Sequence, residues 1–152
     1  MNHAVILGGT GALGRATASK LLSEGWTVDV VGRNAENFPA ELREAGATFQ
    51  SADRYNSTDL QTVFGAGADL LVDALSFNEA HAKMLLPHLA GFSSTVMLSS
   101  KAVYQDEQGR HANSDEPPQF SGPISEEQAT LPAQNSDFAS REGYGPNKVA
   151  AE

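Results

Sequence analysis

Three glycines spaced three apart, Gly8, Gly11 and Gly14, follow directly on the apolar run Ala4–Leu7 and open an amphipathic stretch beginning at Leu13. A glycine turn between a strand and a helix can hold a pyrophosphate. The first glycine permits the tight turn, the second lets backbone approach the phosphates, and the third lets helix and strand pack closely. The start of the helix then offers N–H groups and a partial positive charge to the anion. Gly8, Thr10, Gly11, Ala12, Leu13 and Gly14 are therefore expected to surround the phosphates of a dinucleotide. No Gly-Lys-Ser/Thr follows, so the turn is not a P-loop. The competing reading is an ordinary glycine-rich turn between strand and helix.

The residue ending the second strand of such a unit selects the dinucleotide, because a carboxylate there takes the ribose 2′-OH of NAD. Gly32, Arg33 and Asn34 occupy that place. Nothing acidic would repel a 2′-phosphate, and the Arg33 guanidinium can pair with one. NADP(H) is therefore expected in preference to NAD(H). Asp29 falls inside the strand and is not expected to reach the ribose. Asp53, just after the third strand, is placed to accept from the adenine amino group, with a plain turn aspartate as its competing reading.

These residues need a frame, and short apolar runs alternating with amphipathic stretches predict one: a doubly wound parallel α/β sheet of Rossmann type in three layers. Strands are expected at 4–7, 26–31, 47–52, 69–75 and 95–99. Helices are expected at 13–23, with Leu13, Ala16, Thr17 and Leu21 inward, at 36–45, from the N-cap Asn56 to Gly65, and at 79–89. Composition shifts after Tyr104. Residues 105–142 are rich in Asp, Glu, Gln, Ser and Pro, an acidic loop whose length marks it as functional or mobile. Residues 143–152 read as the opening of a further helix.

Four segments carry a likeness to a known family: GGTGALG at 8–14, MLSSKAVY at 97–104, PISEEQATLP at 123–132 and YGPNKVAAE at 144–152. In that order they resemble the extended short-chain dehydrogenase/reductases, the NAD-dependent epimerase/dehydratases. The resemblance implies Ser100, Tyr144 and Lys148 as catalytic residues, with Lys148 also holding the nicotinamide ribose and Ser100 hydrogen-bonding the reacting oxygen. A lysine four residues after a tyrosine lies one helical turn on, on the same face. Its charge favours phenolate near neutral pH, and phenolate can take a hydroxyl proton while hydride leaves the same carbon. Leu75 lies in Asp73-Ala74-Leu75-Ser76, the stretch after the fourth strand that the resemblance puts beside the cofactor. That stretch lacks the family's usual Ala/Gly-rich sequence, and the connection from Ser100 to Tyr144 is longer than usual. Family members also continue well beyond the position of Glu152 into a substrate domain. The chain is accordingly read as one dinucleotide-binding domain, 1–152, incomplete at its C-terminus and cut from a longer protein.

The chain has 152 residues, no cysteine and a formal net charge of −9. The charge argues against nucleic acid as a partner, since that binding rests on Lys and Arg neutralising phosphates. No apolar run approaches membrane-spanning length and no signal peptide opens the chain, so a cytoplasmic location without membrane attachment is expected. His3, His81, His88 and His111 show no metal-ligand spacing, and Glu126-Glu127 reads as a solvated loop rather than an acid/base pair. The expected partners are a small-molecule substrate, such as a sugar nucleotide, and a second copy in a homodimer. An NADP(H)-binding sensor or regulatory module without catalysis is the alternative reading.

Overall fold

The computed structural model describes residues 2–65 and 67–152. They form two compact units, one running to Leu75 and including Met84–Leu98, the other made of Ser76–Lys83 and Ser99–Glu152.

The first unit holds strands β1 (His3–Leu7), β2 (Thr27–Gly32), β3 (Thr48–Ser51), β4 (Ala68–Asp73) and β5 (Phe92–Met97). They form one parallel sheet in the order β3-β2-β1-β4-β5. Successive side chains of a strand point to opposite faces, and β1 uses both. Val5 and Leu7 join Val31 and Leu71 in a core closed by Leu60, Val63 and Phe64 of α3 (Ser57–Phe64). Ile6 joins Val28, Val30 and Val72 in a second core with Ala18 of α1 (Ala12–Ser23) and Leu42 of α2 (Ala40–Glu44). Both faces of the sheet are thus covered. That is why the Ala4–Leu7 run is continuously apolar rather than alternating, and why the expected doubly wound, three-layer α/β architecture is the one found.

Asn56 caps α3 as its position suggests, its Oδ1 accepting from Thr58 N at 2.9 Å and Asp59 N at 3.2 Å, and Gly65 ends that helix. Three expectations are corrected. The helix expected over 36–45 is a 3-10 turn, Ala35–Asn37, followed by the short α2, because Pro39 holds itself and Phe38 in extended conformation. The helix expected over 79–89 likewise divides into α4 (Glu79–Lys83) and a 3-10 turn, Leu86–Gly91, with Pro87 in its first turn. The inward face of α1 is Gly14 and Ala18 with Leu21 and Leu22, while Leu13 is 65% exposed. β5 also begins three residues earlier than expected: Phe92 packs edge-on against Phe64, and the polar Ser93 and Ser94 conceal the start of the strand.

The second unit contains α4, a 3-10 turn at Lys101–Val103, and α5 (Tyr144–Ala151). Gly145 lets α5 approach that turn closely, since a Cβ there would lie 2.5 Å from the Ala102 carbonyl oxygen. The long acidic segment is not structureless. Asp106, fully buried at its side chain, accepts from the backbone N–H groups of Gln108, Arg110 and Gln119 and from the Arg110 guanidinium. Leu131 is buried and donates its N–H to the Val103 carbonyl at 2.7 Å. No helix among the described residues is long and apolar enough to cross a membrane.

Candidate functional site

In the first unit the expected cofactor residues gather at the C-terminal edge of the sheet. Gly8 follows β1, Arg33 follows β2, Asp53 follows β3 and Leu75 follows β4. The chain runs from β1 outward to β2 and β3 and then returns to β4 on the other side of β1. This reversal opens the crevice in which such sheets hold ligands.

The three glycines have different reasons to be glycine. Gly8 takes φ +81°, and a Cβ there would lie 2.9 Å from Leu75 Cγ. Its bareness is what admits Leu75 beside the turn. Gly14 is enclosed by the turn itself, as a Cβ would lie 2.3 Å from Gly8 O and 2.6 Å from Gly9 Cα. Gly11 is different. Its φ of −77° suits any residue, and a Cβ would meet only Gly8 O, at 3.4 Å. The fold does not require glycine at Gly11, so the open space outside it is what the residue preserves. Gly11 also caps α1, where the cap makes no side-chain hydrogen bond and no acidic residue stands in the first turn. Ala12 and Leu13 are exposed there. These features fit an anionic pyrophosphate at the helix start.

Thr10 packs its methyl against Gly32, where a Cβ would lie 3.2 Å from it. Arg33 is exposed, and its carbonyl accepts from Ser51 Oγ at 3.1 Å. Asp29 is occupied within the strand by His3 Nε2 at 3.1 Å and Gln50 Nε2 at 2.5 Å. The Asp53 carboxylate closes its own turn, accepting from Tyr55 N at 2.9 Å.

Beneath this edge lies an ion pair for which no sequence pattern argues. Arg54 and Asp73 are 3% and 0% exposed, with Nη2 and Oδ2 2.6 Å apart, and Asp73 Oδ1 accepts from Leu75 N at 2.9 Å. Tyr55 carries the Arg54 guanidinium over its ring at 5.6 Å and donates its hydroxyl to the Leu75 carbonyl at 3.1 Å. Burial pushes the Tyr55 phenol up, against the pull of the Arg54 charge. Arg54 and Tyr55 thereby brace the β4 end on which Leu75 sits.

The second unit holds Ser100, Tyr144 and Lys148. Ser100 Oγ accepts from Ala102 N at 3.2 Å, capping the 3-10 turn. Tyr144 opens α5, half-buried, and Lys148 lies one turn on. Lys148 is 2% exposed, and its ammonium donates to the Ser76 carbonyl at 2.5 Å. Neighbouring Asn147, also buried, donates to Gly143 O at 2.8 Å and Ser136 Oγ at 3.0 Å, which fixes the backbone entering Tyr144. Aromatic rings from two sequence-distant segments, Phe77 and His81 from one and Phe138 from the other, complete the surroundings. Phe77 and His81 stand four apart, but no spacing in the sequence brings Phe138 to them.

The family model described as NAD(P)H-binding matches residues 8–131. The chain belongs to this family. No curated protein matches it. Among solved structures it is similar to a UDP-N-acetylglucosamine 4-epimerase from Bacillus cereus, with TM-score 0.68 and 19% identity over 99% of this chain and 47% of that one. It is also similar to a short-chain dehydrogenase/reductase from Veillonella parvula in complex with NADP, with TM-score 0.59 and 16% identity over 67% of this chain and 49% of that one. The chain thus spans about half the length of the solved structures it matches. At these identities the likeness establishes the shared fold, in agreement with the resemblance carried by the four sequence segments.

Proposed function

We propose that this chain is the cofactor-binding and catalytic part of a cytoplasmic NAD(P)(H)-dependent oxidoreductase, epimerase or dehydratase. It would act by hydride transfer at a hydroxyl/carbonyl carbon of a sugar nucleotide or related small molecule. The observation that carries the reading is Lys148, buried one turn beyond Tyr144 on α5, in a chain whose Gly11 keeps open a space the fold does not use. A bound nicotinamide supplies or accepts the hydride. Tyr144 gives or takes the proton at the reacting oxygen, Ser100 hydrogen-bonds that oxygen, and Lys148 supplies positive charge and holds the nicotinamide ribose. Gly8, Thr10, Gly11, Ala12, Leu13 and Gly14 take the pyrophosphate, with Leu75 alongside and Asp53 toward the adenine. Arg33 stands exposed just after β2, and Asp29 is engaged within the strand, so NADP(H) is preferred over NAD(H).

Fluorescence titration with NADPH and NADH tests the cofactor assignment, and tighter binding of NADH would overturn the role of Arg33. Loss of NADPH absorbance with a panel of nucleotide-sugar and simple carbonyl acceptors tests the chemistry. Tyr144→Phe is expected to lower turnover by about 10²–10⁴-fold, the contribution of a positioned acid/base. Equal turnover removes Tyr144 from the mechanism. A second reading, a non-catalytic NADP(H)-binding sensor, draws on the family match ending at residue 131, ahead of Tyr144 and Lys148. Tight NADPH binding without turnover on any acceptor favours it.

A further inference from the structure

A lysine that is 2% exposed needs its ammonium compensated. One partner, the Ser76 carbonyl, comes from the segment just after β4. The next residue along, Phe77, brings its ring to 5.6 Å from the same ammonium, within the range in which a cation is drawn to an aromatic face. Phe77 also stands beside Tyr144, with ring centroids 6.5 Å apart and planes tilted by 48°. One ring therefore touches both members of the Tyr144–Lys148 pair.

Phe77 is itself held on several sides. It stacks on Phe138, with centroids 5.9 Å apart and planes within 4°. His81 stands edge-on to both rings, 6.3 Å from Phe77 and 5.2 Å from Phe138. The Phe77 backbone N–H donates to His81 Nδ1 at 3.2 Å, and Asn78 Oδ1 accepts from His81 N at 2.9 Å, which fixes the imidazole at the start of α4. Asn135 donates to Glu79 at 2.8 Å and ties the segment ahead of Phe138 to the same helix.

We propose that Phe77 is a positioning residue for Lys148: its ring and the Ser76 carbonyl form a two-sided seat that aims the ammonium at the nicotinamide half of the cofactor. The proposal rests on the reading of Lys148 given above. It adds a residue that acts through Lys148 rather than on substrate, and it makes the Phe138-bearing end of the acidic segment the support of that seat.

The test compares NADPH with adenosine 2′,5′-bisphosphate, which carries the adenosine end and the 2′-phosphate but lacks the nicotinamide half. Phe77→Leu keeps an apolar side chain and removes the ring face. It is expected to weaken NADPH binding about fivefold or more, in keeping with loss of a desolvated cation–π contact, and to leave the bisphosphate affinity unchanged. Phe77→Tyr keeps the ring and is expected to bind NADPH as the parent chain does. Lys148→Met separates this proposal from the reading beneath it. If Lys148→Met weakens NADPH binding and Phe77→Leu does not, the seat is overturned and the Lys148 assignment stands. If Lys148→Met leaves NADPH binding unchanged, the Lys148 assignment itself fails and the seat falls with it. If Phe77→Leu weakens both ligands equally, the ring serves only the fold and the proposal is wrong.

Discussion

Replacing Gly11 and Gly14 separately by alanine distinguishes a glycine kept for a ligand from one kept for the fold. At Gly14 the new methyl would sit 2.3 Å from Gly8 O, 2.6 Å from Gly9 Cα and 2.9 Å from the Gly8 carbonyl carbon. All three are backbone atoms of the turn, so none can rotate away as a side-chain end could. The turn must shift, at a cost near the upper end of overpacking penalties, about 3 kcal/mol. That is a large share of the roughly 5–15 kcal/mol that holds a domain folded. At Gly11 the methyl meets only Gly8 O, at 3.4 Å, and φ −77° with ψ 168° suits alanine. Alanine is the poorer N-cap by about 0.5–1 kcal/mol, while its lower unfolded-state entropy returns about 0.4–1 kcal/mol. Gly11→Ala should therefore unfold in urea within about 0.5 kcal/mol of the parent chain. NADPH affinity should fall in that variant by about tenfold or more, because the methyl stands between the backbone donors and the phosphates and weakens charge-assisted hydrogen bonds of about 1.5–3 kcal/mol each. Unchanged NADPH affinity in a well-folded Gly11→Ala would refute the assignment of this turn to pyrophosphate, and so would a stability loss matching that of Gly14→Ala.

Arg33→Ala is expected to weaken NADPH by roughly tenfold while leaving NADH unchanged, since only the former offers a 2′-phosphate to the guanidinium; equal losses for both cofactors would contradict this. Arg54→Met strands the fully buried Asp73 carboxylate and should cost about 3–5 kcal/mol, a fall in Tm of about 10 °C for a chain of this size. Adding Asp73→Asn, which keeps an acceptor for the Leu75 N–H, should recover part of that loss, and a single-variant cost under about 1 kcal/mol would show the pair to be unimportant. Burial pushes the Asp106 carboxyl up, but the N–H groups of Gln119, Arg110 and Gln108 and the Arg110 guanidinium more than offset it and bring the group from the ordinary 3.8 down to about 2. A depressed carboxylate stabilises above its unfolded value, and that contribution disappears as pH falls from about 3.8 through about 2. Amide exchange over residues 105–119 should accordingly quicken across that window, and flat protection there would count against Asp106 as the organiser of the segment.

The sheet was legible because its signals are local and periodic. The apolar run Ala4–Leu7, the Asn56 cap and Gly65 at the end of α3 all act within a few residues, and each appears where expected. The two misplaced helix boundaries share one cause. Pro39 and Pro87 lie inside stretches whose apolar spacing looks helical, and the missing N–H decides the local conformation against that spacing. The local order of the acidic segment is hidden from the sequence for a different reason. Asp106 gathers donors from Gln108, Arg110 and Gln119, and composition cannot show that a single carboxylate is satisfied by backbone N–H groups.

Motif residues and supporting residues were unequally visible because they answer to different constraints. A motif glycine or a tyrosine–lysine pair is fixed by spacing along one turn or one helix, which a sequence displays directly. Arg54 and Asp73, or Phe77 and Phe138, meet only because β3 and β4 end at the same edge, or because the acidic segment returns to α4. Their identities are constrained by compensation: a buried charge requires its opposite, and a buried ammonium requires a carbonyl and a ring. The same logic locates function from the other direction. Gly14 is explained completely by atoms of this chain, and Gly11 and the exposed Leu13 are not. Where the fold leaves a residue's chemistry unexplained at the mouth of a crevice, the missing partner is a ligand, and the charge and open space at the start of α1 call for an anionic one.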